Sequence, residues 1–498
     1  MIRNARAAVV AAGHELVVES AAEVLRAGGN AYDAVVSAGF ASAIVEPALT
    51  SLGGGGFLLA VPAAGPARLF DFFVDTPGRG LDLTAIKPAF VPVVVRFPGA
   101  DQVFHIGPGS VAVPGNLKGF AHAHAALGRM SLRDVIAPAA RLARDGAVVT
   151  EMQRDVLALL APILTHSPEC AALFAGAGAL PSAGERLAFP EVADFLESLA
   201  EGGLDAFYRG EIAARIDHDM REEGGLLTRA DLAAYEVKER APLEHNFRGR
   251  RILMNPPPSG GGVRVARYLA LLEERLVDAT GLSPGDAAYA LALAEAIREG
   301  ELRPSQTTAV RGFSRGTTHV SVIDADGNAA SMTTSNGEGS AYVAPGTGVV
   351  LNNMLGEDDL HPEGFHMGAP GERVSSMMCP TVVVEDGRAS LVLGSGGSKR
   401  IRTAVLQVLS HVLDLGLPVD EAVRAPRLHW DGELLQVEPG FSEEALAALE
   451  ERFCVDRWTT RSLYFGGVHA VVAGKAGEAG AGDPRRGGAA ARVPSRPS

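Results

Sequence analysis

The sequence predicts a layered α+β protein, and three observations predict it. Apolar residues recur at helical spacing in several segments, such as Ala21, Val24 and Leu25, or Ile401, Val405, Leu409 and Val412. Short apolar runs sit in pairs around turn residues, at 57–61 with 69–74 and at 381–385 with 389–393. No strict strand–helix–strand alternation links them, which points to an α+β or layered α/β/β/α arrangement.

The first sixty residues read as helical, then strand. Gly28-Gly29 stops one helix, and Asn30 is a good N-cap for a second that runs to about Val45. That second helix is apolar almost all round (Val35, Val36, Phe40, Ile44), which predicts burial on several sides. Pro47 ends it. After Gly53-Gly54-Gly55-Gly56, the runs 57–61 and 69–74 form a predicted hairpin. Residues 115–145 are helical again, and a helical region continues to about Tyr235 with breaks near Gly176 and Gly202. The stretch 256–262 is Pro- and Gly-rich, fits neither helix nor central strand, and precedes a helix at 263–276. Near Thr317 the pattern becomes extended: Val320, Val322 and Ile323 lead to the turn Asp326-Gly327-Asn328, and a second run reaches Thr334. Asp386-Gly387 is the strongest hairpin signal in the chain. Residues 398–415 form a predicted helix stopped by Gly416. Residues 475–498 hold few large apolar groups and are expected to stay disordered.

Composition narrows the function. With 498 residues, 47% hydrophobic and 21% charged, the chain can bury a large core. A formal net charge of −14 lacks the basic footprint needed to grip a phosphate backbone, so nucleic acid is not expected as a partner. Cys170, Cys379 and Cys454 are sparse and form no C-x-x-C pair, which argues against a disulfide framework or a structural zinc site. The N-terminus shows no signal-peptide pattern, and the longest apolar stretch, 34–45, falls short of the ~20 residues of a membrane helix. The expectation is a cytoplasmic protein that is not attached to a membrane.

Two segments invite chemistry. Thr317-Thr318-His319 follows Gly316 and opens the first strand of a hairpin; a Thr pair before a strand is by itself ordinary, since Thr favours strands. Further on, Gly394-Ser395-Gly396-Gly397-Ser398 joins a strand to a helix. Backbone N–H groups at such a junction point outward at the positive end of the helix and can hold a phosphate or an oxyanion. Neither the dinucleotide fingerprint nor the phosphate-loop pattern is matched there. For acyl chemistry two N–H groups suffice. His361, Glu363 and His366 do not form His-Glu-x-x-His, and His122 and His124 point to different helix faces, so both sets read as structural and no metal is expected.

Several segments together resemble the γ-glutamyltranspeptidase family of N-terminal nucleophile hydrolases. They include Ala12-Gly13-His14, the run 24–31, Gly53-Gly54-Gly55-Gly56-Phe57, Val113-Pro114-Gly115, the run 142–146 and the run 257–261. The runs 317–322 and 326–329 follow, then Pro345-Gly346-Thr347-Gly348, Leu351-Asn352-Asn353, Ser375-Ser376-Met377 and the run 394–398. They occur in the family's order from about residue 10 to 485.

The resemblance implies a four-layer αββα sandwich made as one inactive precursor. It implies self-cleavage before Thr317 into a large piece, 1–316, and a small piece, 317–498, that form one folded unit; pairing of two such heterodimers stays open. Thr317 would be the nucleophile, its freed α-amine the base, and Gly396 and Gly397 the oxyanion donors; no metal or organic cofactor is needed. Ser375 and Ser376 would contact a substrate carboxylate. Ser335 stands where the family has a second Thr near the nucleophile, with Asn336 the polar group beside it. The amine-binding acid falls among Glu357, Asp358 and Asp359, with Asp358 favoured. Met354 takes the place of a frequent Gln, and only residues 360–374 separate the acid cluster from Ser375, so a long lid is not expected. Phe73 occupies a position where the family usually carries an Arg that clamps the donor's α-carboxylate. The expected activity is therefore cleavage of a γ-glutamyl-type amide, with water or an amine as acceptor. An acylase of the same fold acting on another acyl amide, and an uncleaved protein that only binds a small ligand, are the alternatives.

Overall fold

A computed structural model describes residues 7–494 except 98–99, 177, 302–315, 362 and 475–476. Two antiparallel sheets lie face to face with helices on both outer sides. The seven-stranded sheet runs, edge to edge, Ala489–Val493, Ala8–Ala12, Thr318–Ile323, Ala329–Ser335, Gly55–Val61, Arg68–Phe72 and Lys238–Arg240. The six-stranded sheet runs Gly477–Ala481, Gly467–Gly474, Arg388–Gly396, Thr381–Glu385, Arg250–Met254 and Leu243–Phe247. This is the αββα sandwich.

The period-two rule explains the layering. Along Ala8–Ala12, Val10 and Ala12 join the core under the helices, while Val9 and Ala11 join the core shared with the second sheet. Leu58 and Ala60 alternate with Phe57, Leu59 and Val61 in the same way. Where strands of the two sheets cross, part of the filling is polar. His319 bonds Thr333 and Ser321 at 2.8 and 3.0 Å, Ser331 donates to the Leu393 carbonyl at 3.0 Å, and Ser321 donates to that of His469 at 2.9 Å. Burial keeps the His319 ring neutral by holding its pKa well below the usual value.

The helix Ala31–Val45 is buried on almost every side, as its composition predicts. Its capping box is complete: the Asn30 side chain accepts from the Tyr32 and Asp33 amides, and Asp33 accepts from the Asn30 amide at 2.9 Å. The predicted hairpins form at Gly55–Val61 with Arg68–Phe72, at Thr318–Ile323 with Ala329–Ser335, and at Thr381–Glu385 with Arg388–Gly396. The region 115–145 is two helices, Asn116–Leu127 and Leu132–Asp145.

Two expectations are corrected. The N-terminal segment begins with a buried strand, Ala8–Ala12, before any helix. The segment 475–498 is ordered across most of its described part: Gly477–Ala481 edges the second sheet, and Ala489–Val493 pairs with Ala8–Ala12 along its whole length. Its order comes from backbone pairing and from buried charge rather than apolar bulk. Asp483, Arg485 and Arg486 are all buried, with Asp483 bonded to Arg427 at 2.7 Å and Arg485 paired with Glu438. Among the described residues no helix is long and apolar enough to cross a membrane.

Candidate active site

The strand Thr318–Ile323 delivers Thr317 to the mouth of the inter-sheet space. Ladder pairing starts at Thr318 opposite Thr334, so Thr317 stands one residue outside it, and it is 4% exposed. Its carbonyl accepts from Arg486 Nη1 at 3.0 Å. Gly396, on the facing sheet, packs so closely that a Cβ there would lie 2.1 Å from the same oxygen. Only glycine fits. The preceding carbonyl, that of Gly316, accepts from the hydroxyl of Ser335, which in turn accepts from the Gly337 amide at 3.0 Å. Ser335 ends the neighbouring strand and is itself buried.

The Thr318 hydroxyl donates to the carboxylate of Glu46, 3.0 and 3.1 Å from its two oxygens. Glu46 closes the C-terminus of the helix Ala31–Val45. Burial pushes its carboxyl up to about 7, against the Thr318 bond and the nearby Arg486 cation, which pull it down.

A small cleft opens beside Thr317. Its polar lining is Thr317, Ser335, Ser376, Ser398, Glu357 and Asp359; its apolar lining is Phe73, Met354, Leu360, Met377, Met378 and Ile401. Gly397 has φ +123° at the junction between the strand Arg388–Gly396 and the helix Arg400–Leu413, a conformation open chiefly to glycine. Among the described residues no group of three or more His, Cys, Asp or Glu side chains is placed to hold a metal ion.

Of the residues expected from the sequence, Thr317, Ser335, Ser376 and Phe73 meet at this cleft, with Gly396 against the Thr317 backbone and Gly397 next in the chain. Three others do not line it. Asp358 is exposed, and its neighbours Glu357 and Asp359 line the cleft instead. A 3-10 turn, Asp358–Leu360, sends consecutive side chains about 120° apart, so only part of the acid cluster can face inward. Asp359 accepts from the Ser398 hydroxyl at 2.6 Å and pairs with Lys399 at 2.9 Å. Ser375 is exposed and donates to the Pro258 carbonyl at 3.1 Å. Asn336 is 3% exposed beside Ser335, and its Oδ1 is buried without a hydrogen-bond partner among the described residues.

Phe73 is 1% exposed and stacks on Phe57, ring centroids 5.5 Å apart. No Lys or Arg is among the cleft-lining residues. Arg68 pairs with Glu239 at 2.6 Å and Arg79 lies 3.8 Å from Asp231. Arg373 comes nearest, donating to the Phe73 carbonyl, but its guanidinium pairs with Asp75 at 2.9 Å and Asp71 at 3.3 Å. Burial pushes the Asp75 carboxyl up to about 6, with Arg373 opposing it. The connection between the acid cluster and Ser375 packs on the hairpin 91–106 and the residues before it: Phe365 meets Phe90 at 4.9 Å and His105 at 4.8 Å.

Glu46, Arg486 and Met378 were not legible as site residues. They share no local motif with Thr317, and only the fold brings them there.

The γ-glutamyltranspeptidase family model matches residues 18–303 and 286–493. The chain is 33% identical to the glutathione hydrolase proenzyme of Escherichia coli (strain K12), over 97% of this chain and 91% of that protein. It is 32% identical to the acylase ACY 1 proenzyme of Pseudomonas sp. (strain SE83), over 89% of this chain and 86% of that protein. Its fold matches a cephalosporin acylase from Bacillus halodurans with a TM-score of 0.79 at 24% identity, covering 98% of this chain and 96% of that one. The Helicobacter pylori γ-glutamyltranspeptidase structure matches over 58% of this chain and 80% of its own, with a TM-score of 0.50 at 32% identity. The chain, an enzyme with the αββα fold, therefore belongs to the γ-glutamyltranspeptidase family of N-terminal nucleophile hydrolases.

Proposed function

We propose that the protein is a self-processing amidohydrolase whose nucleophile is Thr317. The observation that carries this is the setting of the Gly316–Thr317 bond: Ser335 donates to the Gly316 carbonyl, while Arg486 donates to the next one and Gly396 packs against it. A carbonyl polarised by a fixed donor is prepared for attack. In the first stage the Thr317 hydroxyl adds to the Gly316 carbonyl, the C–N bond breaks, and the nitrogen takes the hydroxyl proton. Water hydrolyses the resulting ester, leaving Gly316 with a carboxylate and Thr317 with a free amine and hydroxyl. The pieces 1–316 and 317–498 are the products.

In turnover the freed amine, ordinarily near pKa 7.7–8.0, accepts the hydroxyl proton as Thr317 attacks the substrate amide. The oxyanion is held by the Gly396–Gly397 amides, the proton passes to the leaving amine, and water or an acceptor amine releases the acyl group. In this reading Ser376 and Asp359 orient the donor, since both line the cleft while Asp358 is exposed.

Phe73 and the methionines favour a second reading of the acyl specificity. A cleft with six apolar lining residues and no cation among them suits an acyl group less charged than γ-glutamyl. The similarity to a protein named an acylase is consistent with that. Intact mass tests the shared mechanism: wild type should give two polypeptides divided before Thr317, and Thr317→Ala one. A wild-type mass that stays at the full chain after long incubation would overturn it.

A further inference from the structure

We propose that Arg486 and Glu46 form a clamp that holds Thr317 in register once the bond before it is cut; this rests on the reading of Thr317 as the nucleophile. Cutting makes Thr317 a chain end, and chain ends fray unless tied down. The sheet does not tie it, because the first ladder pair is Thr318 with Thr334. Two side chains do. Arg486 donates from Nη1 to the Thr317 carbonyl at 3.0 Å, and Glu46 accepts from the Thr318 hydroxyl.

The clamp comes from distant parts of the chain. Glu46 closes an early helix, and Arg486 belongs to the turn Pro484–Arg486 near the C-terminus. The backbone is shaped around both. A Cβ on Gly13 would lie 2.2 Å from Glu46 Oε1, and one on Gly467 would lie 2.3 Å from Arg486 Cδ. Arg486 is 3% exposed, yet its Nε and Nη2 have no hydrogen-bond partner among the described residues. Burying a guanidinium with unused donors opposes stability. Its directed bond to the nucleophile's carbonyl gives the fold a reason to keep it.

Both are positioning residues: one acts on the backbone of Thr317, the other through Thr318. Arg486 also places a positive charge one residue's backbone away from the α-amine, which favours the neutral, proton-accepting form. The charged groups that face Arg486 are Arg400, Asp483, Glu46 and Arg427, and Arg486 faces Glu46 in turn.

The test compares Arg486→Met, Arg486→Lys, Thr318→Val and Glu46→Gln in the full chain, with rates on a chromogenic amide referred to the cut fraction from intact mass. Arg486→Met should lower kcat about tenfold or more with KM within about twofold, since small misplacements of a nucleophile act on kcat. Its acid limb should move to higher pH, and Arg486→Lys should restore the limb and part of kcat. Thr318→Val should lower kcat several-fold, and Glu46→Gln less, because Gln still accepts the hydroxyl. Wild-type kcat and an unmoved limb in cut Arg486→Met would overturn the clamp, as would a loss confined to KM. Arg486 variants that melt cooperatively but stay uncut overturn it as well, because they put the residue's role before the cut rather than after it. Arg486 variants that lose cooperative melting assign the residue to the core and overturn it. An uncut wild type instead removes the mechanism proposed above before any variant is compared.

Discussion

Replacing Phe73 by Arg supplies the charge that the cleft lacks, and two opposing magnitudes decide its effect. A guanidinium that reaches a donor carboxylate gains roughly 1.5–3 kcal/mol, about 10- to 150-fold in binding. Against this stands the lost stack on Phe57, at 5.5 Å and 16° between planes, from a side chain 1% exposed. Truncating a buried Phe to Ala costs about 3–5 kcal/mol of stability. Arg loses less, because its stem refills most of the space while its head reaches the cleft. The penalty thus falls on folding and the gain on catalysis, and they are read separately. Phe73→Leu is the control, since it removes the ring without adding charge. The assay follows anilide release from a γ-glutamyl donor and from an uncharged aliphatic donor, with thermal unfolding alongside. Arg should raise kcat/KM for the γ-glutamyl donor at least tenfold over Leu and lower it for the aliphatic one. Efficient wild-type turnover of the γ-glutamyl donor at micromolar concentration, unimproved by Arg, would refute the reasoning.

Ser335→Ala removes the donor to the Gly316 carbonyl and should slow the appearance of the two pieces about a hundredfold, followed by intact mass over time. Gly396→Ala places a Cβ 2.1 Å from the Thr317 carbonyl with backbone on both sides, so amide turnover should fall at least about a hundredfold even in cut protein; a near wild-type rate would show that the two strands can part. Glu46 has a folded pKa of about 7 against an ordinary 4.5, so its contribution to stability is present below pH 4.5 and is lost as pH rises through 7. The shift corresponds to about 3 kcal/mol. Urea unfolding of wild type and Glu46→Gln between pH 4.5 and 8 should show wild type losing about that much relative to Gln; parallel curves would mean that Glu46 is ionised at ordinary pH.

Local rules reached far into this fold. The Asp386-Gly387 turn, the Asn30 cap and the all-apolar helix after it depend on residues adjacent in sequence, and each forms where expected. The strand Ala8–Ala12 escaped because five small apolar residues carry no alternation when both faces are covered. The C-terminal segment escaped for a related reason: composition measures apolar bulk, and this segment is held by strand pairing and by Asp483, Arg485 and Arg486. At the site, motif resemblance pointed to Thr317, Ser335, Ser376 and the glycines. It could not say which acid of 357–359 turns inward, because that depends on the phase of a 3-10 turn. Glu46 and Arg486 lie about 270 and 170 residues from Thr317, and no pattern within a window joins them to it.

The order of strands in the first sheet bears on what a cut before Thr317 would mean for the molecule's life afterwards. Ala8–Ala12 is sandwiched between Ala489–Val493 and Thr318–Ile323, and Gly55–Val61 borders Ala329–Ser335. The two products would be woven through one another, one strand of the first gripped on both edges by the second. Scission would therefore release no fragment, and it would need no disulfide to keep the halves together. What it changes is the way back. An intact chain refolds as a single body, whereas two cut chains, once melted apart, must find each other at a rate set by their concentration. Assembly would become a one-time event, performed while the chain is whole, and the finished enzyme would persist by the slowness of its unfolding rather than by any ease of refolding.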